Sequence, residues 1–262
     1  MSVNLTNHPI QRVEGTVMPV NSYLIEGPRG MVVVDGQLTV TDARAVRRVI
    51  DEHDRAVAGM ILTHGHPDHY AGAAIILDGL SAPILATAGV AEVVRRDDAA
   101  KEGIVGPMMG AEWPTERRFV DEVVDAGATV HLGGLDFTVR DLGPGESGAD
   151  TIWSLDDATH FIGDIAYHDT HAYLLDGHFD AWLALLRQLD IEIDAAATLY
   201  VGHGRPADKT VIGRQVDYVR AFLDAVSDSL DRDAAARRDR LLFLMELSIE
   251  PCATILAGAR PA

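Results

Sequence analysis

Cysteine is nearly missing from these 262 residues. The one present, Cys252, allows no disulfide framework and reads as a small buried hydrophobe rather than a nucleophile. Lysine is almost as scarce, with Lys101 and Lys209 only, and the formal net charge is −18. No lysine–arginine stripe stands out, so a nucleic-acid partner is disfavoured. No apolar run approaches the roughly 18 residues that a membrane-spanning helix needs. The start of the chain, from Met1 to Pro9, carries neither the basic nor the apolar region of a secretory signal, which points to the cytoplasm. What the chain has in plenty is apolar side chains, 47% of the total. That suffices for the core of one large domain, or of one domain with a small appendage.

Strand and helix signals alternate through the first half. Residues 16–26 read as a strand, and residues 31–35 as a short apolar strand ending in an acid. A helix is expected over 41–53, capped by Thr41 or Asp42. A buried strand over 59–63 follows, then helix over 72–80, strand over 84–86 and helix to about Arg96. Residues 101–114 show no clear periodicity and read as a surface loop or, with Gly hinges and Met and Trp side chains, as a substrate lid. The second half is richer in strands. Hairpins are expected for 129–132 with 135–141, and for 151–155 with 159–163. A helix over 180–189 and a strand over 198–201 follow. From Thr210 the pattern is helical, with a strongly apolar second helix over 240–249 that should pack on the domain or on a second subunit. Each half thus contributes a sheet with helices. The fold class expected is α/β, a four-layer αββα sandwich of two mixed sheets with C-terminal helices. Residues 1–210 form the main domain of this reading and 211–262 a helical extension packed on that domain or on a homodimer partner.

The densest chemistry lies at Thr63, His64, Gly65, His66, Pro67, Asp68 and His69, directly after the apolar run 59–62. Imidazole and carboxylate side chains at this density suit zinc, iron or manganese. Residues two apart in an extended loop point the same way, so His64 and His66 can share one metal. Asp68 and His69 can turn toward a second.

This stretch resembles the HxHxDH signature of the metallo-β-lactamase fold superfamily. Further landmarks are similar in kind and order: residues 143–146 (Gly-Pro-Gly-Glu), 161–164 (Phe-Ile-Gly-Asp) and 200–204 (Tyr-Val-Gly-His-Gly). The resemblance spans roughly residues 10 to 210. It implies two zinc ions, with manganese or iron as alternatives. His64, His66 and the residue at Glu146 would hold the first ion, and Asp68, His69 and His203 the second. Asp164 would bridge them. Asp35 would orient the loop, or simply cap its strand.

Glu146 departs from the family, which usually has histidine there. Three readings compete. Glu146 ligates, which lowers the charge of the site and hardens its ligand set. Alternatively it turns away and leaves the first metal weak, or it acts as a general base beside a single metal. Downstream of Asp164, the reading takes His171 as a site-lining residue, with His168 second, and Tyr167 as a donor to an oxyanion. His160 and Asn21 read as strand residues, and Arg205 as an anion grip or a solvated loop residue.

The function implied is hydrolysis of a small-molecule ester, lactone, thioester or lactam, with a metal-bound hydroxide as nucleophile and Asp68 orienting it. Two alternatives stand beside it. One is a mononuclear iron redox enzyme of the same fold. The other is a catalytically inactive ligand-binding member.

Overall fold

In the computed structural model, which describes residues 8–53 and 55–230, the strands form two sheets. The first has the spatial order β1 (Ile10–Glu14), β2 (Asn21–Gly27), β3 (Gly30–Val34), β4 (Val57–Ile61), β5 (Ile84–Thr87), β6 (Glu122–Val124). Its first three strands are antiparallel and the rest parallel. The parallel strands need crossovers, and α1 (Val40–Glu52), the short turns α2 (Pro67–Tyr70) and α3 (Ala73–Ile76), and α4 (Ala88–Met109) supply them. The second sheet takes β7 (Thr129–Leu132), β8 (Leu135–Gly143), β9 (Asp150–Asp156), β10 (Thr159–Gly163) and β11 (Thr198–Val201) in sequence order across its width. Only β10 and β11 run parallel there, joined through α5 (Phe179–Glu192); α6 (Thr210–Leu230) follows the sheet.

The layers follow from side-chain alternation. Every residue of β3 is buried because both faces of its sheet are covered. Met31 and Val33 face α1, α3 and α4 in one apolar cluster with Val46, Ile50 and Ile76. Val32 and Val34 face the other way, joining Phe137, Trp153 and Phe161 of the second sheet. That sheet's outer side, with Ile152, Ile162 and Leu199, is covered by Trp182 and Leu186 of α5 and by Ile212 and Val219 of α6. This is the four-layer αββα sandwich. No helix among the described residues is long and apolar enough to cross a membrane.

Local departures from the sequence reading have local causes. The strand expected over 16–26 begins only at Asn21. Asp42 accepts from the backbone N–H groups of Thr16, Val17 and Met18 and bends that segment away. Asp42 is therefore not the cap of α1; Thr39 is, its hydroxyl accepting from the Asp42 N–H. The helix expected over 72–80 is the single turn of α3. Residues 101–109 are the C-terminal half of α4 rather than a loop or lid, and a 3₁₀ turn, Gly110–Glu112, follows. Trp113, expected in that loop, is buried under the Arg117 guanidinium. The helix expected over 240–249, the dimer surface built on it and Cys252 all lie outside the described residues.

Candidate metal centre

The two sheets meet where β4 ends. Beyond Ile61 the chain runs against the start of β9. The Thr63 carbonyl accepts from both the N–H and the hydroxyl of Thr151, and the Leu62 carbonyl accepts from Trp153 Nε1. His64 bridges Asp150 there. The histidine loop is thus wedged between the layers. Pro67 then opens α2 at its first position, where a missing N–H costs nothing, and places Asp68 and His69 on that turn.

Asp35 holds this loop from below. It follows β3 with φ 59°, a left-handed conformation that a short polar side chain tolerates. Its Oδ1 accepts from Thr63 N at 2.8 Å. Its Oδ2 accepts from Thr63 Oγ1 at 2.7 Å and from His69 Nδ1 at 2.9 Å. With its proton given to Asp35, Thr63 Oγ1 can only accept from His64 Nδ1, 3.1 Å away. His203 Nδ1 donates to the Pro19 carbonyl at 2.6 Å. His66 Nε2 lies 3.0 Å from Asp176 Oδ2. Each of the four histidines therefore spends one ring nitrogen on an acceptor outside the cluster and turns the other inward.

The inward atoms converge in two groups. One is His64, His66, Glu146 and Asp164; the other is Asp68, His69, Asp164 and His203. All ligand atoms within a group lie within 4.8 Å of one another, and Asp164 belongs to both. Glu146 turns in, not away. Its side chain is fully buried, with Oε2 3.2 Å from His66 Nδ1 and 3.8 Å from His64 Nε2. Asp164 sits 3.2 Å from His203 Nε2 and 3.5 Å from His69 Nε2. His64 Nε2, His69 Nε2, Glu146 Oε2 and Asp164 Oδ1 are buried with no hydrogen-bond partner. Leaving such an atom unpaired costs about 1–3 kcal/mol. Two bare imidazole nitrogens and two carboxylate oxygens facing one another fit a divalent cation as the missing partner.

The electrostatics agree. Burial opposes a charge on every histidine here, and on His64, also facing His69, it prevails and holds the pKa well below the ordinary value. On His66 burial is outweighed by Glu146 and Asp176, and on His69 by Asp164, Asp68 and Asp35, so both are raised. On His203 burial loses to Asp164 and Asp68, and the ring is pushed up to about 10. Burial would raise Asp68 and Asp164, but His69 and His203 hold both carboxyls well below their usual range. Burial, with Glu146 nearby, pushes Asp150 up to about 7. The carboxylates pull positive charge into a space that water scarcely reaches.

The model of the metallo-beta-lactamase superfamily matches residues 15–203. The chain belongs to this superfamily. Solved structures agree in fold. A beta-lactamase domain protein from Burkholderia ambifaria superposes with a TM-score of 0.67 at 16% identity, covering 87% of this chain and 78% of its own. A metallo-beta-lactamase family protein from Thermus thermophilus gives 0.66 at 21%, covering 88% and 85%. A metallo-beta-lactamase from Pontibacter korlensis gives 0.64 at 14%, covering 83% and 97%. No curated protein matches the sequence.

Within this metallo-beta-lactamase fold, the seven ligand-type residues expected from sequence come together. The two other expected site residues are placed differently. Tyr167 is buried, and its hydroxyl lies 2.6 Å from Asp164 Oδ2 and 2.9 Å from Glu146 Oε1. Its one proton is directed at carboxylates of the cluster. His171 turns to α6, where its Nδ1 lies 3.0 Å from the Tyr218 hydroxyl. His168 braces the last histidine turn, donating its N–H to the His203 carbonyl. Arg205 is exposed beside it.

Three contributors escaped the sequence reading: Thr63 as a relay to His64, Asp176 behind His66, and Gly202. A Cβ on Gly202 would overlap Asp164 Oδ1 and sit 2.7 Å from His69 Cε1. Gly202→Ala should therefore push Asp164 out of the cluster and lower ion content per chain, measured by elemental analysis. An alanine variant with unchanged ion content would refute this. A glycine ahead of a histidine in a turn is the only signal that could have pointed to it.

Proposed function

We propose that this chain is a binuclear metal-dependent hydrolase of small-molecule esters, lactones, thioesters or lactams, with zinc as the native ion. One observation carries the reading. Four histidines each turn one ring nitrogen into a cluster of buried carboxylate oxygens, two of those nitrogens have no hydrogen-bond partner, and the outer nitrogen of each ring is already engaged.

His64, His66 and Glu146 would hold one ion, Asp68, His69 and His203 the other, and Asp164 would serve both. Divalent ions bound there supply a nucleophile from water at neutral pH and polarise the carbonyl under attack. The residues do the rest. With ions bound, Asp35 and Thr63 would hold His69 and His64 in the tautomer that turns an unprotonated Nε2 inward. Tyr167 holds Glu146 and Asp164 apart from competing donors. Asp68 and His203 are the most exposed of the seven, at 13% and 11% of their side chains, so substrate and water approach from their side. Asp68 lies 3.1 Å from His203 Nε2 on that side, which supports a role for it in orienting the attacking water. A carboxylate at 146 leaves the cluster one charge less positive than histidine would, which moves the onset of turnover to higher pH.

Protein purified without added metal should carry two ions per chain by elemental analysis and turn over members of an ester, lactone, thioester and β-lactam panel. Glu146→His should keep both ions and shift the onset of turnover to lower pH. Glu146→Ala should lose one ion and at least ~10-fold in rate. No bound ion and no turnover across the panel would end the proposal. A single iron per chain would favour the redox alternative.

A further inference from the structure

We infer that Asp176 is a positioning residue for the metal centre, fixing the His66 ring so that Nδ1, and not Nε2, faces Glu146. This rests on the metal reading above. His66 is unlike the other three histidines. His64, His69 and His203 lean on Thr63, Asp35 and the Pro19 carbonyl. Each of those lies close in the fold to the strand ends that carry the site. The acceptor for His66 comes instead from the irregular segment between β10 and α5, 110 residues away in sequence.

That acceptor is itself held. Asp176 Oδ1 lies 3.9 Å from Lys101 Nζ, on the face of α4 that looks toward this segment. Lys101 Nζ also stands 5.4 Å above the Tyr173 ring. Tyr173 closes the circuit by packing edge-on against His66, with centroids 5.0 Å apart. Lys101 is one of two lysines in the chain. A partly exposed ion pair at this distance contributes little to stability. Its consequence here is directional. In the neutral ring, the form that binds a metal, a carboxylate accepting from Nε2–H keeps the single proton there and leaves Nδ1, the nitrogen 3.2 Å from Glu146 Oε2, as the ligand atom. The affinity of one ion is thereby tied to the placement of a loop.

The test is zinc competition against a chromophoric chelator, on wild type, Asp176→Ala and Asp176→Asn. With alanine, one of the two ions should weaken by about 10- to 100-fold and the other should not change. Asparagine, whose Oδ1 accepts the same N–H, should recover most of that loss. In nitrogen-15 spectra of the zinc-loaded protein, the His66 Nε2–H should be protected from exchange in wild type and in Asp176→Asn, and unprotected in Asp176→Ala. Alanine protein that holds both ions as tightly as wild type would overturn the inference while leaving the metal reading intact. So would equal weakening of both ions, or equal losses from alanine and asparagine. Wild-type protein that takes up no zinc would overturn the metal reading itself.

Discussion

Chelator-treated protein should lose roughly 5–10 °C of thermal midpoint as pH rises from 7 to 10, whereas zinc-loaded protein should hold or gain. The direction comes from the histidines. In the unfolded chain their pKa values lie near 6.5. In the folded, ion-free protein His66 and His69 are raised and His203 is pushed up to about 10. Between those limits the folded state binds more protons than the unfolded one, so stability falls as pH rises. The stability from these rings is complete below about pH 6.5 and is lost as pH climbs through their folded values. Asp68 and Asp164 behave oppositely. Their contribution is present above the ordinary carboxylate range and is lost only as pH falls through their depressed values, outside this window. Ions reverse the slope because they bind the deprotonated rings, and their affinity grows as protons stop competing. Parallel midpoint curves with and without chelator, measured by scanning fluorimetry, would show that the cluster does not exchange protons for cations.

Asp35→Asn should abolish binding of one ion and cut turnover by at least ~100-fold while the fold survives. Asparagine has the shape of aspartate and tolerates the left-handed φ of 59°. Its amide, however, has one acceptor oxygen for three donors: Thr63 N, Thr63 Oγ1 and His69 Nδ1. If the oxygen serves Thr63, the amide N–H faces His69 Nδ1. The imidazole proton then moves to Nε2, and the nitrogen aimed at the ions becomes a donor. Asp35→Ala removes all three acceptor contacts and should cost stability as well, about 3–5 kcal/mol, through donors left unpaired in a buried place. Elemental analysis, initial rates and denaturant melts on both variants check this. Asparagine protein with two ions and full activity would sink the tautomer argument.

How much of this was legible in the sequence depended on how local each cause was. The histidine loop and β3 announced themselves, one by ligand density and the other by an unbroken apolar run ending in Asp35. The strand Thr198–Val201 lies where its pattern put it. The second half of α4 was hidden by Gly103, Gly106 and Pro107, three residues that disfavour helix. The helix continues because its context absorbs them. Gly106 packs against the Trp113 ring, which lies at ordinary contact distance, 3.5 Å, from where a Cβ would stand. The proline lies near the C-terminal end, where the carbonyl it fails to satisfy belongs to the exposed Gly103. The inward turn of Glu146 was one of three open readings, because its direction is decided by Tyr167 and His66, neither adjacent in sequence. Asp176 carried no signal at all. An aspartate before a glycine reads as a turn, and only the packing of α4 against its loop reveals what it faces.

The ligand-type residues come from both sheets, and this has a mechanical consequence. His64, His66, Asp68 and His69 follow β4, while Glu146, Asp164 and His203 stand at the ends of β8, β10 and β11. A cation seated between them would be a rivet through two layers otherwise joined mainly by apolar contact and by the hydrogen bonds around Thr63. Unlike a covalent cross-link, ions held only by the folded site would leave the unfolded ensemble unconstrained and act by stabilising the closed arrangement and slowing its opening. Catalysis and resistance to rupture then reside in the same few atoms.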